Sequence, residues 1–182
     1  LSLKNKKMAV QVVQAMVVMN AMDAVNNLLN LKFDEFDLKL KEYAKENNVP
    51  IIFDDGLAFL ETIIRLYKPK RILEIGTAIA YSAIRMHKVC GSYVTTIERN
   101  EKMYNKACEN VKDSGFSDYI NVIYKDALEA FDNVKEETFD MILMDIMMGE
   151  VDGIETLKSI RELVDYKLPP IIALTANALS GM

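Results

Sequence analysis

The chain has 182 residues, 51% of them apolar and 27% charged, a balance that fits one globular domain and excludes a disordered or linker-rich chain. Its 22 Lys and Arg against 27 Asp and Glu leave a net charge of −5, so no global positive field exists to hold nucleic-acid phosphate. Two cysteines outside any CxxC spacing and a single histidine exclude a disulfide scaffold, a thiolate zinc site and any two-histidine metal motif.

From the amino end, Lys4, Lys6 and Lys7 precede an apolar run from Met8 to Met19 that Gln11 and Gln14 interrupt. The run has the length of a core helix or a signal h-region and is short of a membrane span, so the expected setting is cytoplasmic with no membrane partner. Leu1 in place of an initiating Met reads as the start of a fragment or a processed product. Over residues 8–29, Met8, Val12, Ala15, Met19, Met22 and Leu29 recur at helical spacing. That wide, Met-rich face suits packing on the domain body or a homodimer contact with a second copy.

Helices are predicted over 36–47, stopped by Asn47-Asn48-Val49-Pro50, and over 56–67. Lys68-Pro69-Lys70 leads into Arg71-Ile72-Leu73-Glu74-Ile75, a short apolar run closed by Gly76 that reads as a buried strand and a tight turn. There follow a helix over 81–89, a strand over 93–97, a helix over 101–114, strands over 120–124 and 139–144, a helix over 154–164 and a strand over 170–174. His87 falls on a helix and reads as an ordinary, partly exposed residue. Such alternation predicts an α/β fold, a mostly parallel sheet between two helical layers. Its expected division is a helical segment over 1–35 and a sheet domain over 36–182.

In an open parallel sheet, ligands bind beyond the carboxyl ends of the strands. The first strand ends in Glu74-Ile75-Gly76-Thr77-Ala78-Ile79-Ala80-Tyr81-Ser82, where the glycine lets the backbone approach a ligand and the next helix offers free N–H groups. Glu98 ends the second strand about 20 residues past this loop, the offset of an acid that accepts ribose hydroxyls.

The segments EYAKENNVPII at 42–52, KPKRILEIGTAIAYSAIRM at 68–86, VTTIERNEKMYNKACENVKDSGF at 94–116 and INVIYKDALEAF at 120–131 carry a family resemblance. Over 41–142 the chain resembles the cation-dependent O-methyltransferases that use S-adenosylmethionine, among them the caffeoyl-coenzyme A and catechol enzymes. The resemblance implies a Rossmann-like sheet of order 3-2-1-4-5, truncated relative to a full methyltransferase. It also implies methyl transfer to a hydroxyl of a small molecule or nucleoside. Gly76, Thr77 and Ser82 would line the methionine end of the cofactor with Glu74 behind them, Glu98 would bind the ribose, and Asp126 and Ala127 would border the adenine. Ala80 stands where the family has glycine, and its methyl group either fits or intrudes on the cofactor.

The carboxyl-terminal part departs from that pattern. Phe139 to Glu155, FDMILMDIMMGEVDGIE, resembles the phosphoacceptor strand and loop of response-regulator receiver domains, and Pro170 to Leu179 resembles the next receiver strand with Thr175 as its switch hydroxyl. The two resemblances meet near Asp140 and imply a recombined or engineered chimera with a receiver-like part over 139–182. Asp145 is contested between them. As a methyltransferase residue it is the catalytic carboxylate that binds a divalent cation such as Mg²⁺, with Asn177 the nearest match to a second ligand. As a receiver residue it is the phosphoacceptor, a chemistry that also needs acids on the first receiver strand and a lysine on a fifth. A folded chimera without catalysis is the remaining alternative.

Overall fold

The computed structural model describes residues 31–126, 138–145, 147–148, 151–152 and 169–174. The helices expected over 8–29 and 154–164, together with Ala127, Thr175 and Asn177, lie outside the described residues.

Helix α1 spans Glu35–Glu46 and begins at a reciprocal cap: Asp37 N–H donates to Asp34 Oδ1 at 2.9 Å, and Asp34 N–H donates to Asp37 Oδ2 at 3.1 Å. Helix α2 spans Asp54–Tyr67 and leaves through Lys68 in the left-handed region. It starts two residues before the predicted Gly56, because Phe53 is still extended and its carbonyl already accepts from Leu57 N–H at 2.8 Å. The alternating part is β1 (Arg71–Ile75), α3 (Tyr81–Cys90), β2 (Tyr93–Glu98), α4 (Glu101–Asp113), β3 (Ile120–Tyr124), β4 (Met141–Asp145) and, after a short antiparallel pair, β7 (Ile171–Leu174). That pair, β5 (Met147–Met148) against β6 (Val151–Asp152), was read from the sequence as loop. Two-residue strands leave no hydrophobic period to detect.

The described sheet runs β3-β2-β1-β4-β7 with every neighbouring pair parallel, the 3-2-1-4-5 order of a Rossmann-like α/β fold. Strand β4 begins two residues later than predicted. Asp140 turns its carboxylate back to accept from Lys70 N–H at 2.7 Å and Arg71 N–H at 3.0 Å, which ties the foot of β4 to β1. Leu57, Leu60 and Ile64 of α2, Ile84 and Met86 of α3 and Ile72 of β1 are fully buried in one core with Leu40 of α1. Each such side chain contributes roughly 1.5–3 kcal/mol.

One buried polar cluster joins the helical layer to α3. Arg85 Nη1 donates to Asp37 Oδ2 at 2.6 Å and to Lys32 O at 2.9 Å, and its Nε donates to Glu61 Oε1 at 2.9 Å. Lys88 Nζ adds bonds to Asp37 Oδ1 at 2.8 Å and Asp34 Oδ2 at 2.7 Å.

Candidate functional site

Strand register sets the site. Ile97, Ile75 and Met144 lie on one rung of β2, β1 and β4, so the next positions are Glu98, Gly76 and Asp145. Gly76 leaves β1 at φ 99°, a conformation side chains resist, and its N–H donates to Ile97 O at 3.0 Å. The chain then turns back over β2. Ala78 N–H donates to Glu98 Oε2 at 2.8 Å and Asn100 N–H donates to Oε1 at 2.8 Å. Two amides thus fix the Glu98 carboxylate, and each oxygen retains acceptor capacity for a further donor. Gly76, Ala78, Ser82 and Glu98 are half-buried and so retain some contact with solvent.

Beneath them Glu74 is buried, accepting from Ser82 Oγ at 2.5 Å and from Thr96 Oγ1 at 2.6 Å. Thr77 Oγ1 lies 2.6 Å from Thr96 Oγ1. The loop closes on itself through Ala80 N–H to Thr77 O at 2.9 Å, and α4 pins it through Asn110 Nδ2 to Ile79 O at 2.9 Å. Ala80 is left-handed at φ 64° and 0% exposed within the hydrophobic core, so its methyl is packed against the chain's own atoms.

Lys125 N–H donates to Glu98 O at 3.1 Å, which places Asp126 just beyond the end of β3, beside the strand that carries Glu98. Asp145 ends β4, paired with Leu174. Gly76 therefore separates Glu98 from Asp145 by two strand spacings, about 9–10 Å between backbones. Among the described residues no group of three or more His, Cys, Asp or Glu converges on a point that could hold a metal ion. His87 holds Ser92 O at 2.8 Å and stacks on Tyr119, a structural setting. Asp54 and Asp55 lie in the first turn of α2, where Asp54 binds Lys41 at 2.7 Å.

Sequence reasoning missed Thr96, Asn100 and the Ala78 amide. Thr96 carried a usable signal, since it precedes Glu98 by two residues and so shares its face of the strand.

With this geometry in hand, comparison with known proteins finds two families in one chain. The fold is similar to that of a Staphylococcus aureus protein designated a caffeoyl-CoA O-methyltransferase, with a TM-score of 0.67, 31% identity and coverage of 80% of this chain and 67% of that one. A Bacillus cereus O-methyltransferase in complex with S-adenosylhomocysteine matches with a TM-score of 0.59 and 25% identity over 69% of this chain and 60% of that one. Residues 94–181 match the response regulator receiver domain. The response regulator DivK of Brucella anthropi is 34% identical over 88 residues, 48% of this chain and 69% of that protein. The histidine kinase BarA of Shigella flexneri is 42% identical over 53 residues, and the chain spans only 6% of its length. The chain thus belongs to the O-methyltransferase family through its folded core and to the receiver family through residues 94–181.

The receiver match begins at residue 94, well before the boundary near 139 read from the sequence. The overlap has a physical basis: β2, α4 and β3 form a strand-helix-strand unit that both folds use. The folds differ in what lies beside that unit. A receiver sets its phosphoacceptor strand next to its acid-bearing first strand, whereas here β1 lies between β2 and β4. No helix among the described residues is long and apolar enough to cross a membrane.

Proposed function

We propose that the chain is an S-adenosylmethionine-binding, O-methyltransferase-like domain over 36–182, preceded by a helical segment over 1–35. In this reading Gly76, Thr77 and Ser82 line the methionine end of the cofactor with Glu74 behind them. Glu98 receives the ribose hydroxyls, and Asp126 and Ala127 border the adenine. The observation that carries it is the half-buried Glu98 carboxylate, oriented by the amides of Ala78 and Asn100 at the end of β2. The buried methyl of Ala80 supports it, as does the Bacillus cereus neighbour that binds S-adenosylhomocysteine.

The cofactor, when bound, supplies an electrophilic methyl group; the protein's task is to hold it in line with an oxygen nucleophile and away from water. The acceptor would be a hydroxyl of a small molecule or nucleoside. Asp145 and Asn177 would ligate a divalent cation that lowers the pKa of that hydroxyl, with Asp145 as the catalytic carboxylate. Two protein oxygens are few for Mg²⁺, so transfer is expected to be slow. A cytoplasmic setting and a homodimer contact through residues 8–29 complete the reading.

Calorimetric titration with S-adenosylmethionine and S-adenosylhomocysteine tests it. Saturable binding that Glu98→Ala abolishes is the expected result. No heat up to millimolar ligand, which limits binding to weaker than about −4 kcal/mol, overturns it. The receiver match then favours a second reading, a recombined or engineered chimera that folds and does not catalyse.

A further inference from the structure

Most of α2 is buried, and the part that is not is largely apolar. Between Gly56 and Tyr67, the side chains of Leu57, Ala58, Leu60, Glu61, Thr62 and Ile64 are buried. Phe59 and Ile63 are half-buried, while Leu66 is 71% and Tyr67 61% exposed. With Gly56 these four recur at i, i+3, i+7, i+10 and i+11, which is one face of a helix. Arg65 is the only exposed charged side chain between Gly56 and Tyr67, and it stacks one turn above Glu61, on the other side of the helix, donating to Oε2 at 3.2 Å. A contiguous apolar face left in solvent marks an interaction surface.

The charges at its two ends say what fits it. Exposed Asp55 stands at the amino end of α2 and exposed Lys68 at its carboxyl end, while Asp54 is held by Lys41 at 2.7 Å. A second α2 laid antiparallel on this face, about a two-fold axis between Glu61 and Thr62, sets each Asp55 level with the other copy's Lys68, because both lie equally far from the axis. The same axis sets Tyr67 level with the other copy's Gly56, whose missing side chain leaves room for a ring, and brings Phe59 and Ile63 together at the centre. A parallel arrangement would set like charges side by side. We propose that this face of α2 docks a second copy of the chain through an isologous, antiparallel contact between the two α2 helices. It gives the homodimer reading above a surface apart from residues 8–29 and is independent of the cofactor.

Sedimentation equilibrium of the full chain, up to millimolar concentration, tests the contact. The expected result is a monomer-dimer equilibrium that Leu66→Glu weakens at least about tenfold, since the axis repeats the change on both sides and sets a carboxylate against apolar surface. Asp55→Lys or Lys68→Glu alone should weaken it several-fold, and the two together in one chain should restore it, because opposite charges again meet across the axis. Should a charge variant fail to fold, Leu66→Glu still decides, because that side chain stands mostly in solvent in the single copy. A dimer that Leu66→Glu leaves unchanged overturns the α2 contact and leaves a homodimer through residues 8–29 standing. Weakening by Leu66→Glu with no restoration in the folded double variant overturns the antiparallel docking. A chain that stays monomeric throughout overturns both surfaces.

Discussion

Ala80 holds a backbone conformation that a side chain resists, at φ 64°, yet it is fully buried. Replacing it by glycine relieves roughly 1–2 kcal/mol of left-handed strain. The same change loses about 0.8 kcal/mol of buried methyl and adds roughly 0.5–1 kcal/mol of backbone entropy cost. These nearly cancel, so Ala80→Gly should change the unfolding free energy by less than about 1 kcal/mol, read from urea midpoints. A larger loss would show that the methyl supports the loop beyond its burial. Next to it, Tyr81 is 1% exposed and its hydroxyl finds no hydrogen-bond partner among the described residues. Burial pushes its phenol well above the ordinary tyrosine range, so the group stays neutral and carries its desolvation cost uncompensated. Tyr81→Phe should therefore raise stability by about 1 kcal/mol, and a loss of that size would mean the hydroxyl is paired. Glu98 was legible as a site residue because strand end and offset are written in the chain. The proton directions around Glu74 were not, since they depend on Thr96 and Ser82 meeting it from different elements.

At the scale of elements, the helical layer is attached to the sheet domain by charge as well as by apolar packing. Burial works against the charged Arg85 guanidinium, but hydrogen bonds and charges from Glu61 and Asp37 outweigh it and keep the group ionised. Arg85→Leu takes the shared cation from two buried carboxylates, leaving Asp37 to Lys88 and Glu61 to Arg65, and should cost about 3 kcal/mol, measured by denaturant unfolding. A cost below about 1 kcal/mol would show that water or other cations compensate them. The exposed end of the network, at Asp34, is acid-sensitive. Hydrogen bonding from Lys88 and from the Asp37 amide holds the Asp34 carboxyl at about 2, below its ordinary 3.8. The sign follows: this stabilisation is complete above about pH 4 and is lost as pH falls through about 2. Asp34 is more than half exposed, so the effect stays within about 1 kcal/mol. The stability gap between the wild-type chain and Asp34→Asn should close between pH 4 and pH 2; a gap constant over that window would rule out Asp34 as its source. Helices and strands here were legible because their apolar periods are long. The Arg85 cluster was not, because its partners lie 24 and 48 residues away and read singly as solvated charges.

For the whole molecule, the decisive feature is the strand that the receiver family does not have. The parallel order β3-β2-β1-β4-β7 lets a receiver-like unit supply the outer strands of a methyltransferase sheet without breaking a neighbour pairing. That same compatibility dismantles the receiver's own chemistry. If β2 serves as the receiver's first strand, its terminal acid is Glu98, and β1 holds it about two strand spacings from Asp145 rather than one. Glu98 also already accepts two backbone amides, one from Ala78 in the loop that β1 leads into and one from Asn100 just past β2. A Mg²⁺ ion needs its oxygens at roughly 2.0–2.1 Å in near-octahedral geometry, which the wider backbone separation disfavours. Acetyl phosphate with Mg²⁺ should therefore leave the chain unphosphorylated under conditions that label an intact receiver domain, as read by intact mass. Labelling that disappears in Asp145→Asn would overturn this argument, and would mean that Asp145 finds its cation ligands elsewhere than on β2. Absence of labelling combined with saturable S-adenosylhomocysteine binding would instead locate the surviving chemistry at the loop that follows β1, with β1 standing between the two acids a receiver would bring together.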